Sequence, residues 1–240
     1  MTHPSVQYTG RDLEDAMSVA PPRYHAWILS HFEQYLGNTV AEVGAGSGNF
    51  SSQLLQKFKG TLIAVEPSAQ MYPLLKRRFA NDSRVVCEPH FFRDVALRYH
   101  DSLDSIVYVN VLEHVKNDLR ELVLARDTLK PGGHICIFVP ALPFLFSEFD
   151  ASVGHYRRYM KRQLAALVRE AGLEIVDLRY FDIAGILPWL LFMKILRHPL
   201  TSGSAGLYDT LIVPPMRKIE SWFSPPIGKN LIVVGRKPLV

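Results

Sequence analysis

Three glycines stand at alternate positions in Glu42-Val43-Gly44-Ala45-Gly46-Ser47-Gly48, after an apolar run and ahead of a helix-like segment. Glycine in such a turn lets backbone N–H groups approach a ligand that a Cβ would push away. A helix beginning there adds a positive dipole end suited to a carboxylate or phosphate. Glu66 closes the next apolar run, twenty-two positions after Gly44, with Pro67 behind it. An acid in that place can accept hydrogen bonds from ribose hydroxyls; the plain alternative is an exposed helix-start acid. A nicotinamide dinucleotide fits less well. Its G-x-G-x-x-G turn needs glycine at position 49, which is Asn49, and no second nucleotide-binding half follows. An NAD(P)-dependent oxidoreductase is the weaker alternative.

A second constellation lies at Phe149-Asp150-Ala151-Ser152-Val153-Gly154-His155-Tyr156-Arg157-Arg158-Tyr159. A histidine can take a hydroxyl proton near neutral pH, and guanidinium forks suit carboxylate or phosphate. His155 is the first candidate for a general base, with Tyr156, Arg157 and Arg158 as acceptor-binding candidates. In the competing reading Asp150 pairs with an arginine and the segment is a rigid loop. Farther on, residues 186–196 are apolar almost throughout and contain Trp189 and Phe192. These aromatics could wall an acceptor pocket, or the helix could simply pack on the core, as all-round apolar helices do. The spacing of His, Cys, Asp and Glu shows no compact metal-ligand cluster, so no metal ligand is assigned. Cys87 and Cys136 each sit inside an apolar run and read as buried free thiols.

Positioning these residues calls for a particular scaffold. Short β-branched runs at 39–43, 61–65, 84–87, 105–109 and 134–139 alternate with helix-period segments, the signature of a doubly wound, mostly parallel sheet. Leu164, Leu167, Val168 and Ala171 follow the i, i+3, i+4, i+7 spacing of one helical face. Asn117 and Asp118 read as N-caps of a helix that Pro131-Gly132-Gly133 would stop. Two final strands, at 173–181 and 231–237, enclose about fifty residues, and loops that long are usually lids or binding elements. The expected organisation is a single domain over 1–240. It has an N-terminal helical segment (1–37), a core (38–182 and 231–237) and a partly helical, lid-like insertion (183–230).

With these motifs in order, the chain resembles the class I S-adenosylmethionine (SAM)-dependent methyltransferases. The matching segments are Glu42–Gly48, Val65–Ser68, Asn110-Val111-Leu112-Glu113-His114-Val115 and Leu129-Lys130-Pro131-Gly132-Gly133. The resemblance implies a Rossmann-like seven-stranded sheet with an antiparallel last strand. It also implies that Glu42, Gly44, Ala45, Gly46 and Gly48 surround the methionine part of SAM, and that Glu66 and Pro67 lie at its ribose. Met71 would pack on the adenine or serve as core helix. Glu88 stands where the third strand commonly offers a polar contact to the adenine amine. Asn110 and Val111 would border the sulfonium. His114 is the second candidate base, or a helix-start residue that orders the loop. Val139-Pro140-Ala141 and Phe149–Tyr159, with Ile219-Glu220, Pro225–Asn230 and the closing strand, are similar to a bacterial branch often found beside or fused to glycosyltransferases of surface-glycan assembly.

The expectation is a metal-independent O-methyltransferase of a small-molecule, sugar or lipid-linked acceptor. The alternatives are an N-methyltransferase and a SAM-binding partner without catalysis. At 240 residues, 48% hydrophobic and 21% charged, the chain is an ordinary globular composition. A net charge of +4 without a basic run does not indicate nucleic-acid binding. Residues 1–15 are polar and acid-bearing, unlike a signal peptide. The 186–196 run is about half the length of a membrane span. A cytoplasmic protein is expected, with peripheral contact to the cytoplasmic membrane face left open.

Overall fold

A computed structural model describes residues 22–196 and 202–239. Seven strands form one sheet in the order β3-β2-β1-β4-β5-β7-β6. They are β1 (Thr39–Val43), β2 (Thr61–Val65), β3 (Val85–Glu88), β4 (Leu103–Val109), β5 (Leu129–Pro140), β6 (Glu174–Phe181) and β7 (Asn230–Arg236). The first five pair in parallel; β7 runs antiparallel to both β5 and β6. The Rossmann-like architecture read from the alternating pattern is therefore the one the chain adopts, with strand ends displaced by at most two residues except at the start of β5, which lies five residues earlier than the apolar run.

The central strands are mostly apolar because each face carries its own layer. On β5, Ile135, Ile137 and Val139 join one core cluster while Cys136 and Phe138 join the other, the period-2 alternation of a strand covered twice. The first layer is built by helix Asp118–Thr128, through Leu122 and Ala125, and helix Lys161–Glu170, through Leu164 and Val168. The second is built by helix Pro22–Phe32, through Trp27, Ile28 and Phe32, with Leu54 and Leu75 from the helices after β1 and β2. Cys136 is buried and Cys87 half-buried; both are free thiols.

Two local readings need correction. Helix Asp118–Thr128 is capped by the Asn117 side chain, which accepts from the Arg120 N–H, while Asp118 lies in the first turn. That helix ends before Pro131-Gly132-Gly133. Those residues instead form an irregularity inside β5, where the register passes from Leu103↔Leu129 to Ser105↔His134. Residues 186–196 are also not buried all round. Met193 is buried and Ile186, Trp189 and Leu190 pack on the core, but Leu187, Leu191, Phe192, Ile195 and Leu196 are exposed. The segment opens as an α-turn, Ile186–Pro188, and widens into a π-helix over Trp189–Ile195, with an i→i+5 bond from Leu196 N–H to the Leu191 carbonyl.

The rest of the insertion contributes helices Ser202–Leu211 and Val213–Trp222. It is tied to the N-terminal helix through buried Asp182, at the end of β6. Tyr24 and Tyr208 donate their hydroxyls to the Asp182 carboxylate, and Lys229 pairs with it at 3.2 Å. Glu220 accepts from the Asp182 and Ile183 N–H groups, and Asp209 from the Arg23 and Tyr24 N–H groups. Asp209 thereby satisfies orphan donors at the start of helix Pro22–Phe32. The insertion and the N-terminal helix form one polar clamp at the carboxyl end of β6.

Candidate active site

The glycine turn leaves β1 at Val43. Gly44, Gly46 and Gly48 all take positive φ, at 72°, 56° and 84°, a region closed to most side chains. At Gly44 a Cβ would come within 2.5 Å of the Val111 side chain, so glycine also brings the turn against the end of β4. The Gly44 and Ala45 N–H groups donate to the Val65 carbonyl at 2.8 and 3.0 Å. The Gly46 N–H donates to Glu66 Oε2 at 2.7 Å, and Ser68 N–H to Oε1 at 2.8 Å. Glu66 is therefore a buried carboxylate fixed by backbone donors, not an exposed helix-start acid. Two of about four acceptor sites are used, which leaves capacity for vicinal hydroxyls. Burial raises its pKa, opposed by the Ser68 and Gly46 N–H groups.

Glu42, one turn deeper, is buried and accepts from the Ser51 hydroxyl. Burial pushes its carboxyl up to about 8, with the Ser51 bond opposing and the Glu66 charge adding. The Glu66 and Glu42 side chains thus place acceptor oxygens beside the glycine turn, of the kind a ligand carrying an ammonium and a ribose would use. Met71 is fully buried at the start of helix Met71–Arg78, and Pro67 links Glu66 to it. Glu88 is buried at the end of β3, but its oxygens already accept from Arg98 at 2.9 Å and Tyr99 at 3.0 Å. The residue expected at the adenine amine thus serves an internal ion pair. Asn110 follows β4 at φ 53° and donates its N–H to Phe138 O, so Asn110 and Val111 form the rim facing the glycine turn.

The segment after β5 folds back onto this rim. Tyr156 N–H donates to the Glu113 carbonyl at 2.8 Å, and the Tyr159 hydroxyl donates to the Leu112 carbonyl and to Asp118. Asp150 is fully buried. It closes a capping box with Ser147, pairs with Arg158 at 2.8 Å and meets His155 Nδ1 at 2.9 Å. Burial alone would raise its pKa, but His155, Arg158 and Ser147 together hold it below the usual range.

Both guanidinium groups proposed for the acceptor are committed elsewhere. Arg158 is buried on Asp150 and the Ala141 carbonyl, and Arg157 is held by Asp118 and the Lys116 carbonyl. The rigid-loop reading describes them. Tyr156 is exposed.

His155 then presents Nε2 toward Glu113, 3.8 Å from Oε1, and its ring meets that of His114 at 4.5 Å, nearly perpendicular. Glu113 is completely buried, and burial lifts its carboxyl to about 8. His114 is held neutral, its pKa pushed down to about 3 by burial and then by His155, against a hydrogen bond from its ring to the Gly154 backbone carbonyl. The ligand-capable atoms of Glu113, His114 and His155 all lie within 4.8 Å of one another. The spacing had shown no such cluster, because His155 is far from the other two in sequence. Trp189 closes the outer side: its Nε1–H donates to the Leu145 carbonyl, it meets Phe149 edge-on, and Arg158 stacks over it at 4.5 Å.

A family model described as a methyltransferase domain matches residues 21–178. The chain belongs to this family. Among curated relatives of this methyltransferase, an uncharacterized methyltransferase of Schizosaccharomyces pombe is 33% identical over 127 residues, covering 52% of the chain and 48% of the relative. A ubiquinone biosynthesis O-methyltransferase of Dinoroseobacter shibae is 20% identical over 156 residues, covering 60% and 62%. The chain spans about half to three-fifths of these relatives' lengths. Among solved structures, the Burkholderia thailandensis 1,6-didemethyltoxoflavin-N1-methyltransferase, bound to S-adenosylhomocysteine, superposes with a TM-score of 0.60. It is 17% identical, covering 95% of the methyltransferase and 83% of that chain. At that identity the likeness shows the fold.

Proposed function

We propose that this methyltransferase moves a methyl group from SAM to an oxygen nucleophile of a small-molecule, sugar or lipid-linked acceptor. The observation that carries the reading is the buried Glu66 carboxylate, fixed by Gly46 and Ser68 N–H groups beside a turn of three left-handed glycines. SAM supplies an electrophilic methyl on a sulfonium, so the chain has only to align the acceptor and relieve it of a proton. Glu66 holds the ribose hydroxyls, and Glu42 faces the ammonium of the methionine part. Asn110 and Val111 border the reacting centre. His155, oriented through Nδ1 by Asp150, stands with Glu113 and His114 where the acceptor hydroxyl arrives. Trp189 and Phe192 border the acceptor's path.

A lipid-linked acceptor is favoured by the surface of the insertion. Over residues 183–223, the described exposed charges are Lys194, Arg217 and Lys218, all basic, whereas the acids Asp209 and Glu220 are buried. Leu191, Phe192, Ile195, Leu211 and Trp222 of the same insertion are exposed. Exposed apolar side chains on a segment whose described exposed charges are all basic suit an anionic membrane interface. No helix among the described residues is long and apolar enough to cross a membrane.

The test is incubation with methyl-labelled SAM and fractionated cell extract. Label should pass to an organic-soluble or glycan fraction. His155→Ala should lower turnover about 10²-fold while S-adenosylhomocysteine binding persists. Tight NADH binding in place of S-adenosylhomocysteine would reject the reading.

A further inference from the structure

Glu113, His114 and His155 stand together beside the acceptor's place, yet their arrangement is costly unless something joins them. Glu113 is completely buried, and among the described residues neither carboxylate oxygen has a hydrogen-bond partner. An unpartnered buried carboxylate is among the least favourable arrangements a core can hold. Protonating it does not remove the problem. The imidazole facing it, through His155 Nε2, stands 3.8 Å from Oε1, beyond hydrogen-bond reach.

We infer that Glu113, His114 and His155 bind a divalent first-row transition cation that receives the acceptor's oxygen. The donor set is two imidazoles and one carboxylate, the borderline ligands that favour zinc, manganese, iron or cobalt over calcium and magnesium. The spacing is suitable. A tetrahedral ion with bonds of about 2.0–2.2 Å sets its ligand atoms about 3.3–3.6 Å apart; His155 Nε2 and Glu113 Oε1, at 3.8 Å, are near that spacing, and all three ligand atoms lie within 4.8 Å of one another, so side-chain rotation closes the set.

The outer partners fit as well. Metal-bound histidines commonly use their second nitrogen on a carboxylate or backbone carbonyl, which fixes tautomer and ring orientation. His155 Nδ1 is held by Asp150 at 2.9 Å, leaving Nε2 for the ion. Asp150 is itself locked by Ser147 and Arg158. The His114 ring is hydrogen-bonded to the Gly154 backbone. Three ligands therefore leave at least one position for an exogenous oxygen, the mark of a catalytic site.

This inference rests on the methyl-transfer reading and refines it. His155 becomes a ligand, and the expectation of a metal-independent reaction is replaced. An acceptor hydroxyl on the cation loses its proton to water more readily. Its oxygen then forms the bond to the methyl carbon as the carbon–sulfur bond breaks, giving a methyl ether and a neutral thioether. An acceptor with two neighbouring hydroxyls, such as a sugar ring, could use the second as a further ligand.

The experiment uses the whole chain, stripped with a chelator and titrated with Co(II), read by its visible absorption, with calorimetry of S-adenosylhomocysteine on the same sample. One equivalent of Co(II) should bind and be displaced by zinc. Glu113→Gln and His155→Ala should abolish the spectrum. Asp150→Asn should weaken binding about 10- to 100-fold while the circular dichroism spectrum and S-adenosylhomocysteine affinity persist. A wild type that binds S-adenosylhomocysteine but gives no Co(II) spectrum overturns the cation site alone. Undiminished Co(II) binding in both ligand variants does the same. Failure of the wild type to bind S-adenosylhomocysteine overturns the methyl-transfer reading beneath it.

Discussion

Single residues carried the glycine-turn half of the proposed site openly. A glycine that must take positive φ announces itself by being glycine, and an acid closing the second strand announces its place by the apolar run before it. What single residues could not reveal was their partners. Glu88 looked available until Arg98 and Tyr99, from the segment after it, were folded onto it. Arg157 and Arg158 looked like an anion clamp until Asp118 and Asp150 consumed them. Glu113 and His155 stand forty-two positions apart, and only the return of the chain after β5 joins them. The ribose assignment can be checked at this scale. Glu66→Ala should weaken S-adenosylhomocysteine binding about 10- to 100-fold, the worth of one or two hydrogen bonds to a charged group. Because Glu66 also anchors Gly46 and Ser68, the melting temperature is recorded first. Gly46→Val should be worse, since a β-branched residue at φ 56° strains the turn. Undiminished affinity in a folded Glu66→Ala protein would remove the ribose role.

Strands were the most legible elements, because burial on both faces leaves β-branched runs that no loop imitates. The helix at 186–196 was the least legible. Its composition says only that it is apolar, whereas its exposure depends on how much of its circumference the core can reach. A π-helix that turns Met193 inward and Phe192 outward is a property of the packed molecule. The two aromatics named from sequence therefore separate into different tests. Trp189 is tied to Leu145, Phe149 and Arg158, so Trp189→Ala should cost up to about 3 kcal/mol of stability and raise the acceptor KM. Phe192 is exposed, so Phe192→Ala should melt almost as the wild type does. If the insertion meets a membrane, Phe192→Ala combined with Trp222→Ala should reduce sedimentation with anionic vesicles. Both variants should bind S-adenosylhomocysteine normally. Unchanged acceptor kinetics in folded Trp189→Ala, with no vesicle binding by the wild type, would make the insertion purely structural.

At the scale of the molecule, the sheet supplies the site's two halves and the N-terminal helix locks the insertion over one end of it. That helix, Pro22–Phe32, packs with two histidines turned inward. His25 lies edge-on against Phe50 and His31 against Phe181. Burial lowers the pKa of each to about 4; for His31 the Arg179 and Arg217 charges add to this and Asp177 opposes it. In the unfolded chain both titrate near 6.5. Between about 4 and 6.5 the unfolded state therefore binds protons that the folded state refuses, so these groups make stability rise with pH across that window. Their contribution is complete above 6.5 and is lost as the pH falls toward 4. Glu42 works in the opposite sense. Its carboxyl, raised to about 8 by burial, favours the fold below the ordinary glutamate range and loses that contribution as the pH rises toward 8. The total pH profile mixes both signs, so the decisive quantity is a difference. A His25→Gln, His31→Gln variant keeps polar side chains of similar reach but no longer titrates. The melting temperature of the wild type minus that of the variant should be largest near pH 7 and shrink steadily to pH 4. Melting curves at half-unit steps of pH check this. A gap that stays constant over the window would mean that the two imidazoles bind protons alike in both states, and that acid loosens the clamp through other groups.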